Sequence, residues 1–376
     1  MTALDQIITP ACVIQLNKLE QNAKRVFDIC EKQQLTLRPH VKTLKSLEAA
    51  RIYAPAPMPI TVSTLAEATC FAEAGYTDIL YAVTLTPNKL TRVETLLNSA
   101  VNLTVIVDSV AAVKAMSRSL THADSLIPVA IEIDCDSHRA GVKPDSQELL
   151  DIADEISAVK SLRFAGLMTH AGASYAALTV EEQCSIAEAE RNAVLYAADR
   201  LRAQGIECEM LSVGSTPTIL APISHTGVTE LRAGVYATFD CVMAGLNLCA
   251  YNDIAMSVLT TVIGFHCDEN GVLIDAGWMA LSRDNGTSGQ AYNCGYGLVC
   301  NKSGELLKGW FVESTNQEHG IIRHKENLDP QAVFSFGDVL RILPIHACAT
   351  AAQYSHYYVT SDDQTIDATW QRINGW

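Results

Sequence analysis

No run of about 18 apolar residues occurs in the chain, so no membrane-spanning helix is expected, and no membrane partner. The start, MTALDQIITP, lacks a basic segment followed by an apolar stretch, which leaves no mark for secretion and makes a cytoplasmic location the expectation. Positive charge is in deficit. Lys plus Arg number 27 against 42 for Asp plus Glu, a formal net charge of −15. That surplus repels phosphate backbones and no basic cluster offsets it, which argues against a nucleic-acid partner. The twelve cysteines form no CxxC pair and are too dispersed for a small disulfide scaffold, so most read as reduced, buried fillers. Also missing are low-complexity tracts and linkers rich in Pro, Gly or Ser. Charged residues make up only 18% against 48% hydrophobic, which excludes a disordered chain.

The 376 residues have room for two or three domains, or one large barrel with an addition, at about 150 residues per domain. From about residue 35 to 235, short β-rich apolar runs alternate with segments of helical period. The runs are LTLRPHV (35–41), PITV (59–62), DILYAV (78–83), LTVIV (103–107), IPVAIEI (127–133), RFAGLMT (163–169), ECEMLSV (207–213) and TELRA (229–233). Eight such units predict a (β/α)8 TIM barrel, and the glycine fingerprint of a doubly wound sheet is absent after the first strand. The longest helical stretch, TVEEQCSIAEAERNAVLYAADRLRAQG, ends at Gly205 as a C-terminal stop. After about residue 250 the texture turns to SVLTTVIGFH, GVLIDAGW, GWFVEST, AVFSFGD and VLRILPIH, separated by turn residues, which predicts a mostly antiparallel β domain. The expected division is 17–250 for the barrel and 251–376 for the β domain, the latter joined by an N-terminal strand within 1–16.

In a barrel the active site lies at the C-terminal ends of the strands. The first strand runs into RPHVKTLKS. A lysine there, after apolar and aromatic neighbours, has a partly desolvated amine suited to a Schiff base, although a surface lysine has the same spacing. Lys42 and Lys45 both meet the description. Small residues and hydroxyls follow strands seven and eight in VGSTPT (213–218) and RAGVY (232–236), where barrels bind phosphate. After strand five, Arg139 in DCDSHRAGV either reaches inward to an anionic oxygen or pairs with Asp134 on the surface. Strand six leads into THAGASY, which places His170 and Tyr175 at the same rim.

RPHVKTLKS, HRAGV, THAGASY, VGSTPT, ELRAGVY, DAGWMALSRD, NQEHG and PIHACAT, in that order, resemble the fold-type III pyridoxal phosphate enzymes related to alanine racemase. Within them the sequence is similar to the branch of D-serine dehydratases, D-threo-3-hydroxyaspartate dehydratases and D-threonine aldolases. The resemblance covers nearly the whole chain. It implies pyridoxal 5'-phosphate on Lys42, the lysine of PHVKT, with His40 two residues earlier on the same face. It further implies that Arg139 bonds the cofactor's phenolic oxygen, that Tyr175 lies by the ring, and that Ser215, Thr216, Gly234 and Tyr236 surround the phosphate. Arg232 occupies the place of a racemase arginine at the pyridine nitrogen and receives no role. His346-Ala-Cys348 matches the branch's metal pair. Residues i and i+2 of an extended segment face the same way, and thiolate with imidazole favours zinc over magnesium, with manganese, cobalt and nickel as alternatives. His319 of NQEHG is a neighbour of undecided role.

The implied activity is elimination of water from a D-3-hydroxy amino acid, with Lys42 as general base and the metal polarising the departing hydroxyl. D-threo-3-hydroxyaspartate is ranked first on the overall run of motifs, including the C-terminal INGW. D-serine dehydratase and D-threonine aldolase are the alternatives, and a non-catalytic pyridoxal phosphate carrier is the reading from another class. A homodimer is implied by the resemblance alone.

Overall fold

The structure, a computed structural model, describes residues 2–120, 126–266 and 269–376. Cys267, one of the twelve cysteines, lies outside the described residues. The remaining eleven form no disulfide among the described residues, and six of them are buried.

Eight short strands form where the apolar runs lie: Thr36–Leu37, Ile60–Val62, Asp78–Thr84, Asn102–Val107, Ile127–Ile133, Leu162–Thr169, Met210–Val213 and Glu230–Leu231. The second to eighth pair in parallel with their chain neighbours, and the eighth also pairs with the first. The ring closes between the first two. His40 bridges Thr61, the Val41 N–H donates to the Thr61 carbonyl at 3.0 Å, and the Thr61 N–H donates to the Pro39 carbonyl at 2.8 Å. The result is a (β/α)8 barrel. Its strands read as continuous apolar runs because helices cover their outer faces, and Ile127–Ile133 is buried at every position. The seventh strand begins at Met210, later than the apolar run at Glu207 suggests. The exit of the preceding helix takes up the intervening residues, with the Ile206 N–H bonded back to the Leu201 carbonyl at 3.0 Å. That helix, Val180–Arg202, starts on a reciprocal cap between Thr179 and Glu182, and Gly205 beyond its end has φ +78°, the left-handed stop expected of it.

A second sheet has nine strands, in the spatial order Gly271–Ile274, Gly320–His324, Leu306–Thr315, Leu298–Cys300, Val339–Leu343, Met256–His266, Ala11–Gln15, His356–Thr360 and Ala368–Gln371. Pairing is antiparallel except between Ala11–Gln15 and His356–Thr360. Met256–His266 also pairs with Gly271–Ile274, so the first six strands close on themselves around Val258, Val272, Val299, Val312, Ile322 and Ile342. AVFSFGD is not a strand. Pro330–Ala332 is a 3-10 turn, and Phe334 beyond it is buried in this same core against Trp310.

The chain forms two compact units. One comprises Arg25–Lys45, Ala54–Gly234 and Ile373–Trp376; the other comprises Val235–Arg372 with Ser46–Tyr53 and the N-terminal segment up to Lys24. The division after Gly234 precedes the expected 250/251 because the segment that follows is bonded into the second unit. There the Cys241 and Val242 N–H groups donate to the Pro344 and Ile345 carbonyls at 3.0 and 3.2 Å. Among the described residues no helix is long and apolar enough to cross a membrane.

Candidate active site

In the barrel unit the first strand leads into a single closed turn, Val41 to Lys45, in which the Lys45 N–H donates to the Val41 carbonyl at 2.9 Å. Lys42 is half-buried in that turn and has no ion pair among the described residues. Lys45 is different. Its ammonium lies 3.2 Å from the carboxylate of Glu67, which is fully buried. The two lysines that spacing could not separate thus have distinct surroundings.

Two imidazoles feel the Lys42 charge. His40 is held well below its ordinary pKa, first by burial and then by the Lys42 charge. The same two causes, in the same order, bring His170 down to about 3. Both rings are neutral at physiological pH. His40 Nδ1 is buried and lacks a hydrogen-bond partner among the described residues, whereas His170 Nδ1 lies 3.2 Å from the Gly214 carbonyl. The Tyr175 ring sits 6.0 Å from that of His170.

The exits of strands seven and eight pass close to the first strand. A Cβ on Gly234 would stand 3.1 Å from the His40 carbonyl, and one on Gly214, at φ +129°, would stand 2.4 Å from the Arg232 carbonyl. Ser215 caps the short helix Thr216–Leu220: its Oγ accepts the Thr218 N–H at 3.2 Å and lies 2.8 Å from Ser174 Oγ. Thr216 is buried beside it. Tyr236 belongs to the other unit, where its hydroxyl donates to the Tyr53 carbonyl at 2.9 Å. The unpartnered His40 nitrogen, the close backbone at Gly234 and the hydroxyls of Ser174 and Ser215 suit a planar, phosphorylated aldehyde.

Arg139 does not pair with Asp134. Asp134 holds Lys143 at 2.8 Å, and Arg139 reaches Glu132 at 3.3 Å with its side chain 58% exposed. Glu132 is buried, which pushes its carboxyl pKa up against the opposing pull of Arg139. Arg232 is enclosed. Its guanidinium donates to Ser212 Oγ at 2.5 Å and to the Thr169 carbonyl, and Glu230, Glu190 and Glu132 supply its counter-charge. Glu190 carries no sequence signal, being one acid among several in a helix, yet its buried Oε1 accepts the Ala171 N–H at 2.8 Å and steadies the loop after strand six.

The buried histidines also set an acid limit. His225 is fully buried and lowered to about 4, mainly by burial. The unfolded chain takes up its proton near pH 6.5 and the fold does not. Stability is therefore complete above that value and falls as pH drops toward 4, by at most about 1.4 kcal/mol per pH unit for this group. Thermal melts between pH 7 and 5 are expected to show a falling Tm, less steeply in His225→Asn; equal slopes would contradict the assignment.

In the second unit, His346 stands in extended backbone as the cap of the helix Ala347–Ala351, so Cys348 lies in a helical turn and not in an extended segment. The pair converges nonetheless. Asp240, buried, accepts the Ala347 N–H at 3.0 Å and fixes the residue between them. His346 Nδ1 lies 2.6 Å from Asp284. Burial opposes the imidazolium, but the Asp284 hydrogen bond, followed by Cys348, lifts the His346 pKa to about 11. Among the described residues no group of three or more His, Cys, Asp or Glu side chains could hold a metal ion. An imidazole oriented by a carboxylate beside a thiol is nevertheless a suitable two-ligand donor set for a borderline divalent cation. His319 is exposed in a hairpin turn, its carbonyl accepting the Asn316 N–H at 2.7 Å. Asp284 lies inside DAGWMALSRD, the one clue to it in the sequence motifs, and its place next to the histidine appears only in the fold.

Residues 14–241 match the family model for the alanine racemase N-terminal domain, and residues 255–360 match that of a putative serine dehydratase domain. The D-threo-3-hydroxyaspartate dehydratase of Delftia sp. (strain HT23) is 45% identical over 98% of both chains. A D-serine dehydratase of Schizosaccharomyces pombe is 30% identical over 99% of this chain and 93% of its own. The solved structure of the Delftia enzyme superposes with a TM-score of 0.96 at 44% identity, covering 100% of both chains. A cysteine-to-alanine variant of a D-threo-3-hydroxyaspartate dehydratase, solved in a metal-free form, gives the same TM-score of 0.96 at 43% identity, again covering 100% of both chains. With both models matched in order, and a closed barrel followed by a β domain, the chain belongs to the D-threo-3-hydroxyaspartate and D-serine dehydratase branch of the alanine racemase-like, fold-type III pyridoxal phosphate enzymes.

Proposed function

We propose that the protein is a pyridoxal phosphate- and divalent metal-dependent ammonia-lyase that converts D-threo-3-hydroxyaspartate to a 2-oxo acid and ammonia. The observation that carries the reading is the presence in one chain of an amine, Lys42, without an ion partner among the described residues, and a carboxylate-oriented His346–Cys348 pair, in a sequence 45% identical to such a dehydratase. Pyridoxal phosphate supplies an electron sink for the α-carbon and the metal an electrophile for the poor hydroxide leaving group.

Lys42 Nζ would hold the cofactor's aldehyde and, as a free amine, would serve as the base for the α-proton. His40 and His170, both neutral at physiological pH, are the imidazoles beside it. Arg139 would hydrogen-bond the cofactor's phenolic oxygen, Tyr175 would flank the ring, and Ser215, Thr216, Gly234 and Tyr236 would hold the phosphate. His346 and Cys348 hold the metal, with zinc the ion favoured by thiolate and imidazole together. Asp284 orients His346. Removing such a partner typically weakens metal binding about 10- to 100-fold, so Asp284→Ala is expected to lose zinc affinity by that factor in a competition titration, with far-UV circular dichroism unchanged. Eleven cysteines outside any disulfide among the described residues support a reducing, cytoplasmic setting, and a homodimer is part of the same reading.

Separate incubation with D-threo-3-hydroxyaspartate, D-serine and D-threonine, measuring 2-oxo acid, ammonia and glycine, tests the reading. Oxo acid and ammonia with the highest kcat/KM on 3-hydroxyaspartate are expected. A preference for D-serine would make it a D-serine dehydratase, the reading favoured by the 30% identical yeast relative. Glycine plus an aldehyde would make it an aldolase, and no turnover of any of the three would leave a carrier.

A further inference from the structure

Lys45 is anchored from three directions. Its N–H closes the turn on the Val41 carbonyl at 2.9 Å, its own carbonyl accepts the Ile373 N–H at 2.7 Å, and its ammonium pairs with Glu67 at 3.2 Å. Its backbone is left-handed, φ +48°, a conformation a non-glycine residue keeps only where its surroundings hold it. Glu67 is fully buried, and Oε2 of its carboxylate also accepts the Ser63 N–H at 3.2 Å and the Ser63 and Thr64 hydroxyls, each at 2.8 Å. Its other oxygen, Oε1, is buried without a hydrogen-bond partner, and Lys45 is the only cation paired with it among the described residues. A buried carboxylate of this kind demands its counter-charge. The pair therefore ties the turn after the first strand to the loop after the second, and Lys42 lies inside that turn between Val41 and Lys45.

We propose that Lys45, clamped by Glu67, is a positioning residue that sets the aim of the Lys42 amine. The inference rests on Lys42 being the lysine that carries the cofactor. The second lysine of PHVKTLK then has a task its sequence position does not reveal. Its charge is spent on Glu67, so it does not compete for the aldehyde. Its backbone fixes how far the Lys42 stem must reach, and small displacements of a reacting group are costly in rate.

The test uses the holoenzyme and its apo form, with Lys45→Met, Lys45→Arg and Glu67→Gln. In Lys45→Met, kcat is expected to fall on the order of 10²-fold with KM within about twofold, because aim and not substrate affinity is lost. On adding pyridoxal phosphate to the apoprotein, the visible absorbance should grow in more slowly, and the pH midpoint of that absorbance should shift. Lys45→Arg should recover most of all three, and Glu67→Gln should resemble Lys45→Met. A lowered Tm with kcat, capture rate and pH midpoint unchanged would show a structural tie only and overturn the proposal. Where Lys45→Met fails to fold, Glu67→Gln decides by the same three readouts. Borohydride labelling of the wild type separates the two levels: a label away from Lys42 overturns the functional reading and this inference together, whereas a Lys42 label with an unaffected Glu67→Gln overturns the inference alone.

Discussion

Lys42→Ala is expected to leave a folded protein that no longer fixes pyridoxal phosphate covalently and has lost at least about 10³-fold in dehydratase activity, within the range for removing a positioned general base. The fold should survive because the Lys42 side chain is half-buried and makes no ion pair among the described residues, while its neighbours Val41, Thr43 and Leu44 are buried and hold the turn. The loss is thus chemical: the variant retains the phosphate loops but lacks the one amine in the turn whose charge is not already committed. Borohydride reduction of the wild-type holoenzyme followed by peptide mapping should find the label on Lys42. A label on Lys45 would contradict the assignment and require breaking its pair with a fully buried Glu67, which is why that outcome is not expected.

The second large effect concerns the metal pair. Chelation, or Cys348→Ala, is expected to abolish elimination while leaving the visible absorbance of the bound cofactor and the circular dichroism intact. A site with two protein ligands has no spare one, so losing the thiolate removes most of its affinity. The β sheet does not depend on the ion for folding, because Val258, Val272, Val312, Ile322 and Ile342 are fully buried in its own core. Unfolding on chelation would indicate a structural ion. Full dehydratase activity in a sample shown by elemental analysis to be metal-free would return His346 and Cys348 to packing residues.

The sequence by itself determined the closed barrel, the β domain and the short strand ends on which the site residues lie. Eight parallel strands covered on both faces must be apolar throughout, and that pattern is local enough to read, as is the left-handed stop at Gly205. PHVKT and HAC are local too, so the candidate amine and the ligand pair were legible as motifs. What only the tertiary structure decided is what stands beside them. Lys42 and Lys45 are equivalent in spacing and are separated by Glu67, which arrives from the helix after the next strand. Arg139 faces Glu132 because Lys143 has taken Asp134. His346 and Cys348 converge at a helix start and not in an extended segment, their turn pinned by Asp240 from 107 residues away and their imidazole held by Asp284 from 62. AVFSFGD has strand composition yet serves as a turn that lodges Phe334 in the core. A motif records which side chains the chemistry needs. Which charge neutralises which depends on distances set by barrel closure and sheet register, and no local pattern contains them.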